Sequence, residues 1–143
     1  VAVDPESGLV ETLSYAAVDD FGTIIDRPML EGQVYGSVVQ GIGQALMEGL
    51  QYGAADGQLS SGSYMDYALP RADEIPQFRQ KFNEVPCRTN PLGVKGAGEG
   101  GPIAAVPVVI NAILDALAPL GVRHLDMPAT PQAIRAAVEA AQK

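Results

Sequence analysis

The stretch GVKGAGEGGPIAAVPVVINAILDAL, residues 93–117, sets five of the sixteen glycines and a single carboxylate, Glu99, directly before an apolar run. Pro102 stands where a first helical residue is expected, because its missing N–H is an orphan there in any case. From Pro107 to Leu117 the run is apolar on nearly every face except at Asn111 and Asp115, so the spacing predicts a helix buried on most sides. Upstream, PCRTNPLGVKGAGEGG is too rich in Gly and Pro for helix or central strand and reads as a long loop.

Within that loop Gly96, Gly98 and Gly101 satisfy G-x-G-x-x-G. A dinucleotide fingerprint needs a strand immediately before the glycines and a βαβ unit around them, whereas CRTNPLGVK precedes them here, and Glu99 would set a negative charge against a pyrophosphate. That reading is weak. Two remain. Glu99 is either a partner for the positive end of the following helix or a general base facing a ligand that the glycines admit to the backbone. Spacing leaves both open.

The rest of the chain supplies the surroundings. Val1–Val3 and Leu9–Val18, joined by the turn residues of DPESG, are expected to form two strands of a hairpin, and DDFGTIID a further turn and short strand. Val34, Val38, Ile42, Ala45, Leu46 and Leu50 recur at helical spacing and predict a helix over about 33–52. Gly36, Gly41 and Gly43 lie inside it at about 1 kcal/mol each relative to Ala, so close packing or a ligand must offset them. DGQLSSGSYMDYALP reads as a turn at Asp56-Gly57 and an extended segment through Tyr67, stopped by Pro70. Residues 78–85 alternate with a period of two and predict a strand. Thr130 as N-cap and Pro131 at the first position open a last helix with Ala133, Ile134, Ala137 and Val138 on one face. The expectation is one α+β unit over 1–143, a mixed sheet with packed helices.

With 143 residues and 47% apolar composition the chain can bury a core. Its net charge of −8 gives no basic stripe for a nucleic-acid backbone. One cysteine, Cys87, and one histidine, His124, allow neither a disulfide framework nor a zinc or iron–sulfur site within the chain. Pro107, Asn111, Asp115 and Pro119 interrupt the apolar run from Ile103 to Leu120, so no membrane span is expected and a cytoplasmic location is. Cys87 reads as a small core residue, His124 as bonded to backbone, and Asp66 as a turn or strand-edge residue. Asp19, Asp20, Glu48, Asp73, Glu74 and Glu84 read as solvated faces.

GQVYGSVVQGIGQALMEGL, GSYMDYALPRADEIP and NPLGVKGAGEGGPIAAVPVVINAILDAL together resemble the C-terminal portion of the molybdenum-binding large subunit of the xanthine dehydrogenase, aldehyde oxidase and carbon monoxide dehydrogenase family. The resemblance runs in register from Val1 to about Ala137, with three separated motifs in the family's order. It implies a C-terminal piece of a molybdopterin-binding domain. Carried over, the family's catalytic base falls on Glu99, held by a loop of Lys95, Gly96, Ala97 and Gly98, and its molybdopterin-contacting glutamine falls on Gln33, preceded by Gly32 and followed by Gly36. Gln40 shares that helix face, and a helix–helix hydrogen bond is expected for it. A carboxylate sheltered among glycines loses hydration, which suits a base.

The resemblance further implies oxidation of an aldehyde, N-heterocycle or related small molecule with water as oxygen source. The cofactor would be molybdopterin, as such or in its cytosine dinucleotide form, shared with an upstream part absent from these residues. FAD and iron–sulfur clusters would reside on other domains or subunits, and the remainder of the molybdenum subunit would be the direct partner, reached in part through Tyr35, Tyr52, Tyr64 and Tyr67. The chain, which begins at Val1, is then expected to be a fragment or one part of a split subunit, inactive alone. A non-catalytic remnant or interaction module with the same fold is the alternative.

Overall fold

The computed structural model describes residues 1–142. Strand β1 (Ala2–Val3) pairs antiparallel with β2 (Val10–Glu11). Their connection is closed by Asp4, whose carboxylate accepts from the Glu6 N–H at 3.0 Å and the Ser7 hydroxyl at 2.5 Å. The expected second strand does not continue through to Val18. It breaks at the buried Thr12, and the separate strand β3 (Ser14–Asp19) runs parallel to β4 (Gln77–Phe82) with Tyr15 opposite Phe78. The break lets the inward face of β3 meet β4: Tyr15 packs edge-on to Phe78 at 6.0 Å, and Tyr35 of the following helix stacks on the same ring at 4.9 Å. Parallel strands need a long crossover, which residues 20–76 provide.

Helix α1 spans Arg27–Leu46, beginning and ending about six residues before the expected bounds. Asp26 is its N-cap and accepts from the Met29 N–H at 2.9 Å, a start signal reinforced by Pro28 in the first turn. At the other end the Met47 and Glu48 N–H groups both return to the Gly43 carbonyl, and the Ala45 carbonyl accepts from Ala129 N at 2.7 Å. The last turn is thus closed by a distant connector, and Leu50, which fits the helical spacing, and Tyr52, the expected end of the helix, lie outside it and exposed.

Residues 49–69 form turns with one isolated bridge, Tyr52 to Leu59, instead of the expected extended segment. Side-chain bonds hold the turns: Ser61 Oγ accepts from Gln51 N at 2.8 Å and Ser63 Oγ donates to Asp66 at 2.7 Å. Beyond Asp19, which ends β3, DDFGTIID likewise contributes only the single bridge Gly22 to Val94 among the described residues. Strand β4 ends at Phe82, three residues early, where Asn83 N turns to the Asp19 carbonyl.

Helix α2 (Gly100–Leu117) begins two residues before Pro102, with Glu99 at its N-cap. It buries one i, i+4 stripe, Gly101, Ala105, Val109, Ile113 and Leu117, against α1. A Cβ on Gly41 would lie 2.6 Å from that of Ala105, and one on Gly101 would lie 2.9 Å from Val38 N and would strike the Ser37 hydroxyl. These glycines exist for helix-on-helix contact. The opposite side of α2 is open, with Ile103 at 70% and Val108 at 47% exposure, so burial on most sides is not achieved within this chain. In length and composition α2 would suit a membrane span, but Asn111 and Asp115 and the interlock with α1 are features of a core helix with one side uncovered. Helix α3 (Pro131–Ala141) starts as expected, Thr130 Oγ1 accepting from Ala133 N at 3.2 Å, and seats Ile134 and Val138 in the core.

Candidate functional site

The glycine loop is built on a frame that reaches back across the sequence. The Gly93 carbonyl accepts from Thr23 N and Cys87 N, both at 2.9 Å, and Lys95 N donates to the Phe21 carbonyl at 3.0 Å. Asn90 brackets Val94, its Nδ2 donating to Val94 O at 3.0 Å and its Oδ1 accepting from Val94 N at 3.2 Å. Gly22 and Gly93, at φ +66° and +69°, take the left-handed conformations these turns require. Beyond the frame, the Ala97 methyl packs on the core and Gly100 lies against the Phe21 ring. Sequence reading missed this frame, although Asp20-x-Gly22 carries the signal of an aspartate bonding the N–H two residues on, and Asn90 that of a turn.

Gln33 and the loop meet. Gln33 Nε2 donates to the Gly98 carbonyl at 3.1 Å. Because a carbonyl only accepts, the amide nitrogen must face it, which leaves Gln33 Oε1 as an acceptor for something else. The next residue, Glu99, is exposed, and its carboxylate makes no hydrogen bond or ion pair among the described residues. The side chain does not cap α2, although its carbonyl accepts from Ile103 N at 3.4 Å. The shelter expected for this carboxylate is therefore not provided by the chain itself.

Two kinds of glycine separate here. Gly41 and Gly101 are needed for packing. Gly32, Gly36, Gly96 and Gly98 have nothing within 4 Å of a Cβ position, and none of the four has positive φ. Neither contact nor backbone conformation within the chain requires them, and all four flank the Gln33–Gly98 bond in sequence. Gln40 is also exposed and makes no helix–helix hydrogen bond among the described residues.

Lys95 is directed to the frame: its ammonium pairs with Asp20 Oδ2. Asp20 Oδ1 also accepts from Gly22 N at 2.8 Å and Val85 N at 3.2 Å. The Lys95 hydrogen bond first, then the Gly22 N–H, hold the Asp20 carboxyl below its ordinary value, against a smaller opposing effect of desolvation. Asp20 is thus an organising group and not simply part of a solvated face. Cys87 is half-buried, and its thiol is lowered mainly by Thr89, whose hydroxyl lies 3.1 Å from Sγ. His124 contacts Asp126 at 3.0 Å on the open surface, and Asp66 serves a turn as expected.

Among the described residues no three His, Cys, Asp or Glu side chains converge on a possible metal position. The larger clefts, such as the one of about 330 Å³ between β3 and α2, are not lined by Gln33 or Glu99. The site is an open rim: a carboxamide, a free carboxylate and small residues with exposed backbone. That donor set fits the polar organic portion of a cofactor whose metal brings its own ligands, with one carboxylate standing beside it.

The chain belongs to the molybdopterin cofactor-binding domain family, whose model matches residues 1–76. It is 43% identical to the nicotine 6-hydroxylase large subunit of Paenarthrobacter nicotinovorans over 94% of its length, a span that includes both Gln33 and the glycine loop. It is 35% identical to the carbon monoxide dehydrogenase large chain of Hydrogenophaga pseudoflava over 91%. The chain spans about a sixth of the length of these relatives, 16% of each. Among solved structures, quinoline 2-oxidoreductase from Pseudomonas putida 86 superposes with a TM-score of 0.91 at 36% identity, over 96% of this chain and 17% of that one. The Cu,Mo-CO dehydrogenase gives 0.90 at 32%, over the same shares. The fold is the α+β arrangement of molybdenum hydroxylase large subunits.

Proposed function

We propose that this chain forms part of the active site of a molybdenum-dependent hydroxylase, contributing the general base Glu99 and a cofactor-facing rim of Gly32, Gln33, Lys95, Gly96, Ala97 and Gly98. The observation that carries the reading is the bond from Gln33 to Gly98, which joins two motifs 65 positions apart beside a carboxylate with no partner among the described residues. The four glycines with empty Cβ positions give a molybdopterin room to approach the backbone. When bound, the cofactor, in its molybdopterin or cytosine dinucleotide form, supplies the two-electron redox chemistry.

The chain's own residues have simpler tasks. Glu99 takes a proton at a carboxylate oxygen from the water-derived nucleophile, and the adjoining glycines keep bulk away from it. Gln33 fixes the loop through Nε2 and offers Oε1 to the cofactor. The substrate class is an aldehyde, an N-heterocycle or a related small molecule. FAD and iron–sulfur groups reside on other domains or subunits.

The direct partner is the remainder of the molybdenum subunit. Ile103, Val108 and Val18 leave one apolar side of α2 and β3 uncovered, as suits a segment about a sixth the length of its relatives. The chain alone is inactive. The test is Glu99→Gln in the complete enzyme: loss of turnover by several orders of magnitude with molybdenum retained supports the base, and turnover near the original rate rejects it in favour of a non-catalytic module.

A further inference from the structure

We propose that the Asp20–Lys95 ion pair positions the loop that carries Glu99, so that Asp20, on the turn after β3, is a positioning residue for the reaction; this rests on Glu99 being the base. Between Lys95 and Glu99 lie only Gly96, Ala97 and Gly98, the two glycines having no contact that would restrain a Cβ. Apart from the Ala97 methyl, which packs on the core, such a segment is ordered by what holds its two ends. One end is held at Gly98 by Gln33. The other is held at Lys95 twice, by its N–H on the Phe21 carbonyl and its ammonium on Asp20.

Asp20 suits this task because it is itself immobilised. Its second oxygen accepts from Gly22 N and Val85 N, so one carboxylate ties the β3 turn, the segment leaving β4 and the root of the glycine loop. The pair lies at the surface, with side-chain exposures of 34% for Lys95 and 32% for Asp20, and it is the two backbone amides on Asp20 that fix its place. Lys95 is therefore occupied on the frame side of the loop, and what it offers the cofactor is its backbone.

The test uses the complete enzyme with Lys95→Met, Lys95→Arg and Asp20→Asn. Two quantities are read: hydrogen–deuterium exchange of the peptide covering 94–101, and kcat against KM with molybdenum content measured on the same samples. The expected result is exchange at least several-fold faster in Lys95→Met, with kcat down about tenfold, KM and molybdenum content unchanged, and both quantities restored to within about threefold in Lys95→Arg. Asp20→Asn should follow Lys95→Met. If that variant does not fold, because Asp20 also serves two backbone amides, the Met and Arg variants carry the test. Unchanged exchange and kcat in Lys95→Met overturn the proposal. So does loss of molybdenum without faster exchange, which would make Lys95 a cofactor contact, or loss of exchange protection throughout the chain. Failure of Glu99 as base would show separately, as an active Glu99→Gln enzyme in which Lys95→Met still loosens the loop.

Discussion

The side-chain amide of Gln33 and the main-chain carbonyl of Gly98 are joined by a 3.1 Å hydrogen bond that spans the interface between α1 and the residues leading into α2. Gln33→Leu removes the bond and the free Oε1 while preserving bulk. Cofactor retention or kcat should fall about ten- to a hundredfold, as for other groups that orient a bound centre. Molybdenum per protomer and turnover on the purified enzyme measure this; full occupancy with full activity would remove Gln33 from the site.

The two kinds of glycine make opposite predictions. Gly101→Ala drives a methyl into Ser37 and the α1 backbone and should destabilise by about 1–3 kcal/mol. Gly36→Ala meets nothing within the chain and should stabilise α1 by about 1 kcal/mol, yet it should weaken cofactor retention in the complete enzyme. Urea midpoints and molybdenum content on both variants separate packing from ligand access. A Gly36→Ala enzyme that holds its cofactor normally would mean that the open position faces only solvent.

The Asp20 carboxyl lies below its ordinary value of 3.8, first because of Lys95 and then of the Gly22 N–H. A folded-state value below the unfolded one means that the stabilisation is complete above the unfolded value and disappears as pH falls through the lowered folded one. The ion pair should therefore persist through neutral and mildly acidic solution and open only below the ordinary aspartate range. Carboxyl carbon shifts of Asp20 against pH should give a midpoint under 3.8. Lys95→Met should move it up, and a midpoint at or above the ordinary value would show that the pair does not form.

Ile103, at 70% exposure, and Val108, at 47%, face outward from an apolar helix. Replacing both with Lys should change the stability of this chain by no more than about 1 kcal/mol, because Ile103 is mostly exposed and a lysine stem can cover what half-exposed Val108 covers. Assembly with the rest of the molybdenum subunit should fail, leaving little full-size enzyme by size-exclusion chromatography. Normal assembly of the double variant would place the subunit contact on another face.

Local chemistry made several elements legible in the sequence. Thr130-Pro131 marks the start of α3 because the cap and the fixed proline φ act within one turn. The apolar repeat marks the body of α1, and the glycines and prolines of 86–99 exclude regular structure. The Gln33 and Glu99 motifs are readable because each is contiguous. What needed the folded chain depends on partners far apart. The break of the second strand follows from the pairing of Tyr15 with Phe78, and the early end of α1 from the donation of Ala129 to Ala45. The sorting of glycines into packing and open positions follows from the approach of two helices, and the role of Asp20 from a lysine 75 positions away. Caps, turns and periodicity are short-range interactions written in neighbouring residues. Strand partners, helix closure and ion pairs are long-range, and the chain must be folded before they exist.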